Sequence, residues 1–241
     1  MNSPAAERSY SLRARAVGFA ERLLLHFEAP RAAKHANSIF IWIPKNAGTS
    51  VYSMLRLSGL VKLKTPSAVE RFFGNSGRVT FGHMAIGPLV ERGLVSRAFV
   101  DSAFKFAIVR DPYARAASLY RFMSKIGQFE GSEGETGFTQ FLHRLAERPI
   151  DPIGPYNYRR LSQCNPQVDW LRDTAADAIY RVEDLDGFVA DISERWAIPK
   201  KSIPHRNQSE KAEDLNLTAE QRSLIEHFYA EDFATLGYAK R

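Results

Sequence analysis

Short apolar runs alternate along this chain with longer stretches that carry apolar residues at helical spacing. The runs that predict strands are Ser38–Ile43, Arg78–Gly82, Phe104–Val109 and Ala178–Val182. The stretches that predict helices are Thr49–Ser58, Pro112–Lys125, Phe138–Ala146, Leu185–Trp196 and Thr218–Tyr229. Strands that alternate with helices indicate an α/β fold with a central, mainly parallel sheet flanked by helices. Between two of the helices, Gly127–Gly137 is rich in Gly, Glu and Ser and predicts a mobile loop.

The amino-terminal part of the chain has a different pattern. Between Arg8 and Phe27 the arginines lie away from a helical stripe of Leu12, Ala16, Phe19, Leu23 and Phe27. We therefore expect residues 1–37 to form an amphipathic basic helix with a linker, and residues 38–241 to form a single domain. The helix would either pack on that domain or lie on a membrane surface.

The most informative segment starts with the apolar run Ser38–Ile43, which breaks at Pro44. A lysine, a glycine and two hydroxyl residues follow before the next helical stretch. A strand, a tight turn and a helix start offer unpaired backbone N–H groups and the positive end of the helix dipole to an anion. Lys45 adds a mobile cation, and Thr49 and Ser50 add hydroxyl donors. The segment therefore predicts a site for a phosphate or a chemical relative of phosphate.

This loop differs from the Walker A motif G-x-x-x-x-G-K-[ST], in which the lysine directly follows the second glycine. Here Lys45 precedes Gly48, and there is no leading glycine. The pattern P-K-x-x-G-T-[ST] instead resembles the 5′-phosphosulfate loop of sulfotransferases that use 3′-phosphoadenosine 5′-phosphosulfate (PAPS). For this segment alone, a strand-turn-helix that happens to contain a lysine is the alternative.

A second strand and helix carry the run R-D-P-Y-x-R-x-x-S-x-Y. Asp111 suits a helix N-cap and Pro112 suits the first turn. From the residues alone, Arg110 and Asp111 would simply pair at a helix start. The run is also similar to the 3′-phosphate-binding signature of the same sulfotransferases, in which the arginine and a later serine clasp the 3′-phosphate. Those residues here are Arg110 and Ser118, and the planar fork of a guanidinium group suits a phosphate.

With both motifs in the family's order, the chain resembles a PAPS-dependent sulfotransferase of the carbohydrate type (sulfotransferase family 2), the branch that includes heparan sulfate 2-O-sulfotransferases and bacterial relatives. Weaker similarities extend the match from about Ile39 to Tyr238. The resemblance implies a P-loop-like three-layer α/β fold, PAPS as co-substrate and no metal. The residues that it assigns to donor binding are Lys45, Asn46, Ala47, Gly48, Thr49, Ser50, Arg110, Ser118, His205, Asn207 and Ser209.

Sulfuryl transfer requires an acceptor oxygen to attack sulfur in line while a 3′,5′-bisphosphate nucleotide leaves. By analogy with phosphoryl transfer, we expect positioning and charge neutralisation to supply most of the catalysis. Lys45 is the residue predicted to stabilise the leaving oxygen. His83 follows a short strand, and its Gly-His pair resembles the base position of the 2-O-type enzymes, so it is the predicted general base. A structural histidine at a strand end is the alternative, and His205 is the second candidate for the base.

The acceptor side is predicted from a polar-aromatic cluster that resembles the family's acceptor-side P-Q motif. Gln163 and Gln167 belong to this cluster together with Asn165 and Trp170, and Arg159 adds a cation suited to an anionic saccharide. A helix start with a buried tryptophan, beside a solvated basic face, explains the same residues equally well. The carbohydrate or glycolipid acceptor is therefore implied by the resemblance alone.

Composition limits the remaining choices. The net charge of +6 favours anionic ligands, and no clustered basic-aromatic module indicates nucleic acid. The single cysteine, Cys164, excludes an intrachain disulfide and fits a reducing compartment as a structural thiol.

No HExxH, CxxC or Asp-rich cluster suggests a metal site. No apolar run approaches the roughly 18–20 residues that span a membrane, and no signal-peptide core is present, so we expect a bacterial cytoplasmic enzyme.

Two other classes of function share some of these features. A P-loop-type nucleotide kinase would have the same strand-loop-helix, but it should need Mg²⁺ and a Walker lysine. A non-catalytic anion- or nucleotide-binding protein would keep Lys45 and Arg110 and show no transfer. His83 is the residue that argues for catalysis over binding.

Overall fold

The computed structural model describes residues 23–129, 131, 134–147, 161–200, 203 and 215–241. Within these residues, five strands form one sheet in the order β2-β3-β1-β4-β5, and every neighbouring pair is parallel. The strands are β1 (Ser38–Ile41), β2 (Val61–Lys62), β3 (Arg78–Thr80), β4 (Phe104–Val109) and β5 (Ala178–Arg181). The predicted parallel sheet is thus confirmed, and β2 escapes prediction because it is too short to show a pattern.

Helices follow the strands along most of the described chain. They are α1 (which includes residues 23–32), α2 (Gly48–Leu55), α3 (Pro66–Phe72), α4 (Ile86–Glu91), α5 (Arg97–Ser102), α6 (Pro112–Lys125), α7 (Gly134–Glu147), α8 (Leu185–Trp196), α9 (Ala219–Phe228) and α10 (Ala230–Leu236). Among the described residues, no helix is both long and apolar enough to cross a membrane.

The segment Gly127–Gly137 departs from its prediction. It was expected to be a loop throughout, but α7 begins inside it at Gly134. The first turn of α7 is polar, so it shows no apolar periodicity in the sequence. A contact with α9 holds this part of α7, because Gln221 donates to the backbone carbonyl of Glu135 at 3.4 Å and, one turn on, to the Thr139 hydroxyl at 2.9 Å.

Alternate residues of β1 pack on opposite faces of the sheet. Ile39 and Ile41 join a core that includes residues from α1, α3, α4 and α5. Phe40 joins a second core with Phe106 and with residues from α2 and α8. Both faces of the sheet are therefore covered by helices, as is usual for parallel sheets. This arrangement confirms the expected three-layer α/β architecture, and α6, α7, α9 and α10 form a further core beside it.

The carboxyl ends of β1 and β4 meet at the centre of the sheet. Near the carboxyl ends Ile41 of β1 pairs with Ala107 of β4, and β3 pairs with the other side of β1. From β1 the chain passes to the edge strand β2, returns through β3, and only then crosses to β4. The strand order therefore reverses between β1 and β4, and open α/β sheets bind their ligands at such a point. The loops that leave these two strands are the two motif-bearing segments of the sequence.

Candidate functional site

The loop after β1 has a backbone shape suited to binding an anion. Lys45 and Ala47 have left-handed backbones, with φ of 71° and 55°, and α2 begins directly afterwards at Gly48. Left-handed residues in a tight turn direct successive backbone N–H groups toward a common concavity that attracts anions. The first N–H groups of α2 lie at the end of the same loop. Thr49 is exposed there, whereas Ser50 is buried.

Asn46 lies between the two left-handed residues and directs its side chain into the protein. Its Nδ2 donates to the carbonyl oxygen of Ile108 at 2.9 Å and to Oε1 of Gln167 at 2.7 Å. Because Ile108 belongs to β4, the side chain holds the first loop against the neighbouring strand. The contribution of Asn46 to a ligand would therefore come from its backbone N–H.

The loop after β4 leads directly into α6. Asp111 caps that helix, since its carboxylate accepts from the backbone N–H groups of Tyr113 at 2.8 Å and Ala114 at 3.2 Å. The predicted N-cap and first-turn proline are both observed. Arg110 is 6% exposed, and burial is the main cause that lowers its pKa, while the charge of Glu183 opposes the shift. Ser118 lies two turns into α6 and is also buried.

Lys45 lies within a group of positive charges. Its ammonium group is 4.2 Å from the centre of the Phe122 ring. Burial is the largest cause that lowers the pKa of Lys45, the charges of Arg110, Arg121, Arg115 and Lys125 act in the same direction, and together they bring it to about 8. The two loops and α6 therefore bring Lys45 and Arg110 into one cationic site. An anionic ligand would relieve the repulsion between these groups.

Arg115 connects the first loop to the segment that contains Gln163. The spacing of residues in the sequence does not reveal this role. Its side chain is 0% exposed, and Nε donates to the carbonyl oxygen of Pro44 at 3.3 Å. Nη2 donates to the carbonyl oxygen of Gln163 at 2.9 Å. The guanidinium group also lies 5.5 Å from the centre of the Tyr229 ring. The only signal in the sequence is that Arg115 belongs to the R-D-P-Y-x-R run.

His83 follows β3 and contacts the start of the first loop. Its Nδ1 lies 2.8 Å from the carbonyl oxygen of Trp42, and its ring meets the Trp42 indole edge-on at 5.4 Å between centroids. A carbonyl can only accept, so Nδ1 carries the proton and Nε2 is the basic nitrogen. Burial is the largest cause that lowers the pKa of His83, this hydrogen bond opposes it, and with the charges of Lys62 and Lys45 the net result is a pKa of about 4. The imidazole is therefore neutral at physiological pH.

The two glutamines predicted to bind an acceptor are both buried. Gln163 donates to the sulfur of Met123 at 2.9 Å and to Oε1 of Gln128 at 3.1 Å. Gln167 bonds to groups of both loops. Both side chains bond to groups of the protein itself, and their role in acceptor binding stays a prediction.

Four of the predicted site residues lie outside the described part of the chain. They are Arg159, His205, Asn207 and Ser209. For the residues that are described, no group of three or more His, Cys, Asp or Glu side chains could hold a metal ion. Cys164 is buried, and burial raises its pKa to about 11, which keeps the group a thiol.

The family comparison decides which chemistry this anion site belongs to. A model described as the sulfotransferase family matches residues 31–239, which include both loops and His83. The chain belongs to the sulfotransferase family. Sulfuryl transfer is therefore the chemistry of this family member, as its two motifs predict. Among curated proteins, none matches this sulfotransferase significantly.

One solved structure similar to this sulfotransferase is a crystal structure of a sulfotransferase from Alicyclobacillus acidocaldarius. The two chains are 16% identical, and the superposition has a TM-score of 0.48. The match covers 83% of this chain and 93% of the other.

Proposed function

We propose that this sulfotransferase transfers the sulfuryl group of PAPS to an acceptor hydroxyl. The observation that carries the proposal is the proximity of Lys45 and Arg110, which follow two neighbouring strands and interact electrostatically. Family membership implies a sulfonate donor. PAPS has a phosphosulfate on one side of its ribose and a phosphate on the other, so it would place negative charge at both loops.

The two loops divide the donor between them in this proposal. The backbone N–H groups from Asn46 to Thr49, with the hydroxyls of Thr49 and Ser50, hold the 5′-phosphosulfate, whereas the Ser50 N–H donates to the Ala47 carbonyl at 2.9 Å. Arg110 and Ser118 hold the 3′-phosphate. His205, Asn207 and Ser209 complete the nucleotide site, as the resemblance of their H-x-N-x-S loop implies.

Transfer then proceeds by in-line attack. The acceptor oxygen forms a bond to sulfur while the bond from sulfur to the 5′-phosphate oxygen breaks, and that oxygen gains negative charge. Lys45 stabilises this charge with its ammonium group. Burial is the largest cause that lowers the pKa of Lys45, and a partly desolvated ammonium group interacts strongly with the charge that develops on the leaving oxygen.

His83 accepts the proton of the attacking hydroxyl at Nε2. The hydrogen bond from Nδ1 to the Trp42 carbonyl fixes the tautomer and the ring orientation that this role requires. A pKa of about 4 describes a weak base in the protein without ligand. Donor binding adds negative charge beside Lys45 and therefore raises the basicity of His83 when the acceptor arrives.

The acceptor in this proposal is a hydroxyl of a carbohydrate or glycolipid, which the enzyme meets in the bacterial cytoplasm. Gln163 and Arg159 are the residues proposed for the acceptor side, on the resemblance of their segment to the family's P-Q motif. A weak contact between the basic amino-terminal segment and a membrane surface would suit a glycolipid. No metal is required for the reaction.

Calorimetric titration without an acceptor tests the donor assignment. The ligands are 3′-phosphoadenosine 5′-phosphate, adenosine 5′-monophosphate and ATP–Mg²⁺. Tight binding of the 3′-phosphorylated nucleotide alone is the expected result, and an acceptor screen with PAPS would follow. A preference for ATP–Mg²⁺ would favour the kinase, and donor binding without transfer to any acceptor would favour a non-catalytic binding protein.

A further inference from the structure

Gln167 connects the two loops that follow β1 and β4. Its side chain is 0% exposed, and Oε1 accepts from Asn46 Nδ2 at 2.7 Å and from the backbone N–H of Arg110 at 2.8 Å. Nε2 donates to the backbone carbonyl of Arg110 at 2.8 Å. One amide group therefore bonds to the first loop and to both backbone polar groups of Arg110.

Asp232, on α10, fixes the orientation of that amide. Its carboxylate accepts from Gln167 Nε2 at 3.2 Å, from the Gln167 backbone N–H at 2.9 Å and from the Val168 backbone N–H at 3.0 Å. A carboxylate that accepts three N–H bonds requires the amide nitrogen of Gln167 to face it, which directs Oε1 toward Asn46 and Arg110. Burial raises the pKa of Asp232, and the charge of Arg115 opposes that shift.

These bonds extend the link between the strands beyond the sheet. The paired register of β1 and β4 ends at Ile41 and Ala107. Past that point, Asn46 bonds to the carbonyl of Ile108 and to Gln167, and Gln167 bonds to Arg110. The loops at the switch point are thus tied together by buried hydrogen bonds, and the tie comes from a third segment of the chain.

We propose that Gln167 and Asp232 are positioning residues that set the separation of the 5′-phosphate and 3′-phosphate subsites. The inference rests on the proposed function, because only a nucleotide with both phosphates spans the two loops. It replaces contact with an acceptor as the role of Gln167. A bisphosphate nucleotide benefits from a fixed separation, whereas a monophosphate that occupies one subsite does not.

The test compares Gln167→Met with Gln221→Met. Both glutamines are buried and hydrogen-bonded, but Gln221 bonds within α9 and to α7, away from the loops. Titrations use 3′-phosphoadenosine 5′-phosphate, adenosine 5′-phosphate and adenosine 3′-phosphate. Loss of these buried bonds should weaken the bisphosphate about tenfold in Gln167→Met and change each monophosphate by less than about twofold. Gln221→Met should leave all three affinities unchanged.

Asp232→Asn is the second variant, to be used if Gln167→Met does not fold. It keeps the shape of the side chain. It should also weaken the bisphosphate selectively. Equal losses for all three nucleotides, or a selective loss in Gln221→Met as well, would overturn the positioning role. A wild-type protein with no preference for the bisphosphate would overturn the proposed function itself, and this result is obtained before any variant is made.

Discussion

The indole of Trp42 occupies the space in which a side chain on Gly48 would lie. A Cβ at residue 48 would be 1.9 Å from Nε1 of Trp42. The ring cannot move easily, because it stacks between Phe40 and Tyr52 at 5.8 Å from each. Gly48 opens α2, so the tryptophan packs directly against the helix start at which the phosphosulfate is proposed to bind.

Gly48→Ala should therefore destabilise the protein and weaken donor binding together. The added methyl group displaces Trp42 or the start of α2, and overpacking of this kind costs about 1–3 kcal/mol. Thermal unfolding measures the loss of stability, and titration with 3′-phosphoadenosine 5′-phosphate measures the loss of affinity.

Gly74→Ala is the matched control for that change. A Cβ at Gly74 has no neighbour within 4 Å among the described atoms, and its backbone is outside the left-handed region. We expect its stability and its nucleotide affinity to equal those of the wild type. If Gly48→Ala behaved like Gly74→Ala, the contact with Trp42 would not constrain the loop.

The pH dependence of the reaction should report Lys45. Its pKa of about 8 means that the ammonium group loses its proton as the pH rises through 8, so kcat/KM should fall there. Bound donor raises this pKa by adding negative charge, and kcat should therefore fall only at a higher pH. Profiles of kcat/KM and kcat measured between about pH 5 and 10 test whether kcat/KM falls at the lower pH.

Lys45→Arg separates this residue from other groups that titrate near pH 8. A guanidinium group stays protonated throughout, so the alkaline fall in kcat/KM should disappear even where the rate itself is reduced. Persistence of the same fall in Lys45→Arg would assign it to another group.

Local signals in the sequence predict the elements that carry the two loops. The bounds of α6 and α8 agree with the predicted ones at both ends, and Asp111 and Asp184, which cap their first turns, mark where they begin. The observed bounds of β4, Phe104–Val109, also equal the predicted ones. The short helices α3, α4 and α5 have too few residues to show periodicity, although Thr65 and Ser96 cap the first turns of α3 and α5.

No local pattern in the sequence predicts the hydrogen bonds that join the two loops. Gln167 is 121 residues from Asn46 and 65 from Asp232, and a sugar contact for its amide is implied only by the resemblance of its segment to the family's P-Q motif. Its burial depends on where α10 packs, which is a tertiary property. Arg115 is similar, because its donation to Pro44 joins residues 71 positions apart.

Arg110→Lys should change nucleotide selectivity more than stability. A lysine keeps the charge but loses the fork that makes two bonds to a phosphate. We expect about 10- to 100-fold weaker binding of 3′-phosphoadenosine 5′-phosphate, and little change for adenosine 5′-phosphate. Calorimetry with both ligands measures the ratio, and Arg71→Lys, on the surface of α3, is the control. An equal loss for both ligands would place the 3′-phosphate elsewhere.

His83→Ala tests the assignment of His83 as the general base. Loss of a general base should reduce turnover about 10²–10⁴-fold and leave the affinity for the donor nucleotide nearly unchanged. The control is His143→Ala, since His143 is exposed and pairs with Glu220 away from the loops. The wild-type kcat/KM should stay constant as the pH falls toward 5 and decline only near pH 4, where His83 gains a proton. A decline near the ordinary histidine pKa of about 6.5, or full turnover in His83→Ala, would assign the base to another residue, with His205 the next to test.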